Sequence, residues 1–306
     1  MKQLIRELKL FKRNYEIFLL TLPGLLYILI FAYLPMGGII IAFKNYTYDK
    51  GILGSEWVGL KNFEFFFVSD TALRVTRNTV LYNAGYIAIT TITALVLALL
   101  LNEISRKYLK FYQTSLLLPH FLSWILVSYI GYVFLEVNNG FVNQLLDGIG
   151  IGGVNWYMES WPWPYILNIA NLWKGVGFAA LIYYAGILGI DSEYYEAAKM
   201  DGATRFQMMW KITLPMLTTL IIILFILSIG AMFRGDFGLH YFMTQNSTFT
   251  YPSADIIDTY VFRALRTLGD VSMSAAVGVY QSIVGLVLVL ASNYIVKKIN
   301  SDNSLW

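Results

Sequence analysis

Six stretches of the chain are apolar for long enough to cross a bilayer: about 17–43, 80–101, 112–135, 165–190, 212–233 and 272–296. A hydrocarbon core of about 30 Å takes roughly 20 residues of α-helix, so the pattern predicts an all-α membrane protein with six transmembrane helices. Pro23 and Pro35 interrupt the first stretch and predict a tilt or kink there. That stretch follows a basic leader. It is too long for a secretory signal and no small-residue cleavage pattern follows it, so it is expected to be a retained anchor.

The polar segments separate by charge. With the N-terminus placed in the cytoplasm, the inside segments are 1–15, 102–111, 191–211 and 297–306, and they hold thirteen of the 22 lysines and arginines. The 137–164 segment has no lysine or arginine and carries Trp156, Trp161 and Trp163, which are expected to form an interfacial belt. The positive-inside rule therefore predicts that both termini are cytoplasmic. The expected organisation is a cytoplasmic N-terminal segment 1–15, a six-helix membrane domain 16–298 and a cytoplasmic tail 299–306. The long outer segments are 44–77 and 235–271.

Composition narrows the chemistry. Of 306 residues, 57% are hydrophobic and 13% charged, and the formal net charge is +3, well short of the basic excess of a nucleic-acid binder. The chain has no cysteine, which excludes thiolate metal sites, and its two histidines all but exclude an all-protein His metal centre. No Asp or Glu lies in mid-span, where an ion-coupled carrier keeps one, since Glu136 and Asp236 stand only at ends. His120 is expected at the inner end of the third span and His240 in an outer loop. Neither the zinc-protease nor the nucleophile-elbow pattern occurs, and the dipeptide Gly-Lys is missing, so there is no Walker A loop. Uphill transport would need energy from a partner, and no cofactor is expected on this chain.

That partner would dock on the inside segment between the fourth and fifth spans. Asp191 or Ser192 can cap a short helix, with Glu193 and Glu196 near its positive end. Gly202 can take the left-handed backbone that ends it. Phe206 and Trp210 then share a face, and Pro215 fits the first turn of the fifth span. The prediction is two short helices joined at a tight turn, able to lie in a groove on another protein.

This segment, 191–215, resembles the EAA loop of binding-protein-dependent ABC importers, whose permeases carry Glu-Ala-Ala, a Gly four positions on, and a later Ile-x-Leu-Pro. Glu196, Ala197, Ala198, Gly202, Ile212, Leu214 and Pro215 stand at that spacing. Apart from Ile212, and with Asp201, they are the residues that the resemblance assigns to coupling with an ATPase. The likeness covers nearly the whole chain and is strongest to type I, six-helix permeases for complex oligosaccharides, of the lipoprotein-associated, alginate and rhamnogalacturonan kind. Supporting stretches are Leu22-Pro23-Gly24, the runs 50–55 and 57–63, Leu118-Pro119-His120-Phe121, Asp236-Phe237-Gly238 and 255–261. Where simple sugar permeases have Gly-Gly-Pro after helix five, this chain has Thr244-Gln245-Asn246-Ser247, which favours the oligosaccharide branch.

The resemblance implies a bacterial cytoplasmic-membrane permease forming half of a pathway. Its partners would be a second, homologous six-helix permease, two ATPase subunits that bind ATP and Mg2+, an extracellular solute-binding protein, an oligosaccharide substrate and membrane lipid, with no nucleic acid. A permease for amino acids or other small solutes, or an ion-coupled carrier or channel, is the alternative.

Several residues could line the path. Asn168, Asn171, Gly175 and Ala179 form a small, polar stripe on helix four that either lines a cavity or lets helices pack closely. Trp173 either stacks on a sugar or faces lipid. Lys174 lies deep enough to need a partner, either an acidic sugar or carbonyls of a neighbouring helix. Ser228, four residues before Met232, bonds either a sugar hydroxyl or its own backbone. Tyr129 and Tyr132 on helix three are candidates for the cavity wall. Arg234 and Asp236 are expected to form an ion pair or to contact the binding protein, and Gln281 to bond between helices.

Overall fold

The computed structural model describes residues 14–64 and 68–299, with Ser304. The basic leader before residue 14 and most of the tail after 299 lie outside the described residues. The main helices are α1 Tyr15–Phe43, α2 Asp70–Glu103, α3 Arg106–Leu117, α4 Trp124–Leu135, α5 Phe141–Gly148 and α6 Trp163–Leu188. They continue with α7 Ser192–Met200, α8 Arg205–Gly230, α9 Phe237–Met243, α10 Ile257–Arg263 and α11 Val271–Ile299. Five of these are long and apolar enough to cross a membrane, and six spans result when the bent pair α3–α4 is counted as one.

The described chain forms two compact units, one of residues up to Glu64 with Leu268–Val279, the other of the remainder. In the first, the apolar core of α1 buries none of its residues. A π turn at Leu29–Tyr33 stands directly before Leu34-Pro35. Proline has no N–H for the carbonyl one turn back and its ring crowds it; widening the turn accommodates both. A two-stranded antiparallel hairpin follows, β1 Lys44–Asn45 with β2 Glu56–Trp57, in the register Lys44↔Trp57. Lys44 is buried because its ammonium donates to the carbonyls of Ile52 and Leu53 at 2.9 and 3.0 Å.

In the second unit α2 and α6 pack along one another. Lipid is as apolar as leucine, so close approach rather than water exclusion holds such helices together. The seam accordingly carries Ala94, Ala98 and Ala180, all fully buried. Gly177 on α6 lies against the backbone of Leu116 on α3, where any Cβ would strike the carbonyl. A second cluster, around Tyr82, Tyr86, Trp163, Leu167 and Leu239, fills the other end.

Two expectations need correction. The third span is not one straight helix, for α3 and α4 meet at 96°. Leu118–Phe121 tightens into a 3-10 turn around Pro119, Leu122 and Ser123 are extended, and the Ser123 hydroxyl accepts the Leu126 N–H to start α4. His120 thus sits at this break and not at the span's inner end. Nor do the three tryptophans form a belt. Trp163 is fully buried, with its indole N–H on the Trp156 carbonyl at 3.0 Å. Trp156 donates to the buried Asn143, and Trp161 alone of the three is exposed. Partners for two indole N–H groups inside the protein remove the need for an interface.

Candidate coupling hairpin and translocation path

The 191–215 hairpin is capped as its sequence implies, but the second of the two expected short helices is instead the first turn of α8, which runs on without a break. Asp191 caps α7 by accepting the Glu193 N–H at 3.0 Å, Gly202 ends it with φ +76°, and Thr204 and Gln207 form a reciprocal capping box at the start of α8. Glu196, Ala197, Asp201 and Gly202 are solvent-exposed, while Ala198 and Leu214 are half-buried. Phe206 and Trp210 stand with ring centroids 6.1 Å apart and both exposed. A second π turn, Met209–Thr213, directly precedes Leu214-Pro215.

Two contacts that the sequence did not reveal tie the hairpin down. The Tyr195 hydroxyl bonds that of buried Thr213 at 2.9 Å, joining α7 to the π turn of α8. Arg205 pairs with Glu103 at 2.7 Å, joining the start of α8 to the end of α2. Between them an open cleft of about 600 Å³ is lined by Glu103, Arg106, Tyr195, Glu196, Lys199 and Arg205 among others. Partners so remote in sequence leave no periodic signal.

On α6 the stripe of small residues divides. Nothing lies within 4 Å of a Cβ placed on Gly175, so the close approach belongs to Gly177 instead. Asn171 and Lys174 are half-buried and Trp173 is exposed. Lys174 resolves toward a neighbour's carbonyl. Its ammonium donates to the His120 carbonyl at 3.0 Å, freed by the break in the third span, and lies 5.1 Å from the Trp124 ring. Trp124 in turn donates to Asp236 at 2.6 Å. Asp236 caps α9 through the Leu239 N–H, so the expected Arg234–Asp236 pair is not formed. Ser228 donates to Leu224 of its own helix at 2.8 Å. The Met232 carbonyl receives Asn83, Tyr132 meets Tyr157 with centroids 5.8 Å apart, and Tyr129 is exposed. Gln281 bonds to the Phe233 carbonyl in the turn after α8 at 2.7 Å and across helices to Asp258 of α10 at 3.3 Å.

The segment between α8 and α11 is folded around buried polar groups. Asp255 pairs with Arg263 at 2.6 Å and accepts Thr259 on its other oxygen. Arg263 also donates to Asn246 and lies 4.0 Å over the Tyr251 ring. The Thr244–Ser247 run is a left-handed turn, with φ +52° at Gln245 and +51° at Asn246, and Asn246 is fixed there by Arg263 and the Tyr251 hydroxyl. His240 is fully enclosed. The Ala254 carbonyl can only accept, so Nδ1 carries the proton at 2.7 Å and Nε2 accepts from Tyr86. Burial pulls the imidazole down to about 4, so it is neutral at physiological pH. Burial likewise raises the Asp258 carboxyl above its ordinary range, against the opposing Gly235 N–H. Among the described residues no group of three acidic or histidine side chains could hold a metal.

Residues 90–301 match the family of binding-protein-dependent transport system inner membrane components. The chain belongs to this family. The permease is 42% identical, over 96% of its length and 91% of the relative's, to the polygalacturonan/rhamnogalacturonan transport system permease protein YteP of Bacillus subtilis. It is 40% identical to Protein LplB of the same organism, over 95% and 91% of the two chains. A solved bacterial ABC transporter involved in import of the acidic polysaccharide alginate has a chain of the same fold. It matches with a TM-score of 0.86 and 33% identity over 96% of the permease and 99% of that chain. That fold is the type I importer permease, and the protein is the membrane-embedded permease of a binding-protein-dependent sugar importer.

Proposed function

We propose that the permease forms half of an ATP-driven path for acidic oligosaccharides, fragments of a uronate-containing polysaccharide. A second six-helix permease supplies the other half, two ATPases hold ATP and Mg2+, one of them seated on the 191–215 hairpin, and an extracellular binding protein delivers the sugar. Both termini then lie in the cytoplasm. The observation that carries the coupling role is the capped, exposed hairpin bonded to the foot of α8 through Tyr195 and Thr213. ATP binding need only favour one arrangement of that hairpin over the other to move the equilibrium between inward- and outward-facing paths.

The acidic substrate is supported by the uronate-rich polymers named for its relatives and by Lys174. This ammonium in a membrane helix has a carbonyl and an indole face for company, and a passing carboxylate would be a better partner than either. Asn171 and Gly175 on the open side of α6 belong to the same path, with Trp173 as a surface for sugar C–H faces.

The test is purification from the native membrane in gentle detergent, followed by reconstitution with the proteins recovered. The expected result is a Walker-containing ATPase and a second permease in the complex, and uptake of a uronate oligosaccharide that requires both ATP and the binding protein. Glu196→Ala should lower that uptake at least tenfold with the complex intact. A chain recovered alone, or uptake indifferent to ATP, would overturn the proposal.

A further inference from the structure

Where α8 ends beside α11 the facing surfaces leave an open groove of about 400 Å³, within the range of small-ligand sites. Small residues create it. Gly230 and Gly285 are pressed together so closely that a Cβ on Gly285 would lie 2.7 Å from the Gly230 carbonyl. Leu227, Ala231 and Leu286 form aliphatic walls, and Arg234, Gln281 and Ser282 make one end polar.

Arg234 is the unusual member. It is exposed, and its guanidinium donates to the Ser282 hydroxyl at 3.3 Å. The ion pairs formed among the described residues are Arg205–Glu103 and Arg263–Asp255, so no carboxylate is in direct contact with its guanidinium. The Arg234 charge acts on Asp258, but not at ion-pair distance; that carboxylate accepts the Gly235 N–H at 2.7 Å and the Gln281 amide instead. A guanidinium offers five donors in a planar fork that matches a carboxylate two-to-two, and here that fork stands at the mouth of a cleft with C–H surfaces below it.

We infer that this groove is a saccharide subsite, in which Arg234 binds a uronate carboxylate while the sugar's C–H face lies on Leu227, Ala231 and Leu286. The inference rests on the acidic-substrate reading above and adds to it a second cationic contact, separate from Lys174. Charge complementarity decides the occupant: a neighbouring apolar helix or an acyl chain would fill the walls and leave the guanidinium unanswered.

The experiment uses the reconstituted importer with whichever uronate trisaccharide, galacturonate or mannuronate, the wild type imports, and the methyl ester of the same trisaccharide as a neutral probe. Arg234→Gln should raise the half-saturating concentration for the acid about tenfold and leave that for the ester unchanged, and Arg234→Lys should restore part of the difference. Unchanged acid uptake in Arg234→Gln overturns the subsite. So does an equal loss for acid and ester, or loss of the second permease from the purified complex, either of which would make the groove a seat for a helix. If the wild type imports the ester and neither acid, the acidic reading itself falls and takes this site with it.

Discussion

The third and fifth spans each carry a Leu-Pro step, and the chain treats the two in opposite ways. Before Pro215 the helix widens by one π turn and carries on through α8. Around Pro119 it tightens, opens into two extended residues and leaves at 96°. Proline removes one donor in either place, so the residue alone does not set the outcome. The surroundings differ. At Pro119 a lysine from α6 waits for the loosened His120 carbonyl and Ser123 restarts the helix. At Pro215 the turn is held to α7 through the Tyr195–Thr213 bond. Irregular backbone at membrane depth persists where protein groups satisfy it, and such breaks are where transporters place their sites.

The comparison can be broken most severely at Gly177. Gly177→Val would force α6 off the backbone of α3 and should abolish recovery of monodisperse protein in detergent, whereas Gly175→Ala, two residues away in open space, should melt within about 2 °C of wild type. Equal effects would mean that α3 is not seated on α6. Lys174→Met strands the His120 carbonyl, at a cost of about 1–3 kcal/mol. A thermal melt no lower than wild type would show that the break in the third span holds itself open. The gentlest perturbation is Tyr195→Phe, which removes one hydrogen bond and about 1 kcal/mol. It should leave the melt nearly unchanged while lowering sugar imported per ATP hydrolysed, and an unaltered ratio would remove Tyr195 from the coupling path.

Much of this was legible in the sequence, because local chemistry wrote it there. The apolar windows of the first, fourth and sixth spans fall on their helices to within a few residues, whereas α2, α3 and α8 begin earlier, at Asp70, Arg106 and Arg205, polar approaches that hydropathy does not register. Asp191, Gly202 and the aromatic pair Phe206 and Trp210 behave as their types and spacing dictate. The break in the third span was hidden since Leu118–Leu135 stays apolar on both sides of it, and hydropathy has no term for direction. Trp163 could not be distinguished from an interfacial tryptophan until Trp156 offered it a carbonyl. Asp236 lost its expected partner to Trp124, more than a hundred residues distant in the chain, a competition that no local pattern records.

On the topology proposed above the segment between α8 and α11 faces outward, and its folding then has a consequence for speed. Asp255, Arg263 and Asn246 are already joined to one another, and His240 to Tyr86 and the Ala254 carbonyl, before any partner arrives. A binding protein that docked there would lose little time or free energy to ordering a loop, and its arrival would be governed by diffusion and by charge. Each transport cycle of the proposed importer would repeat that landing, and a surface fixed in advance would keep the encounter from becoming the slow step.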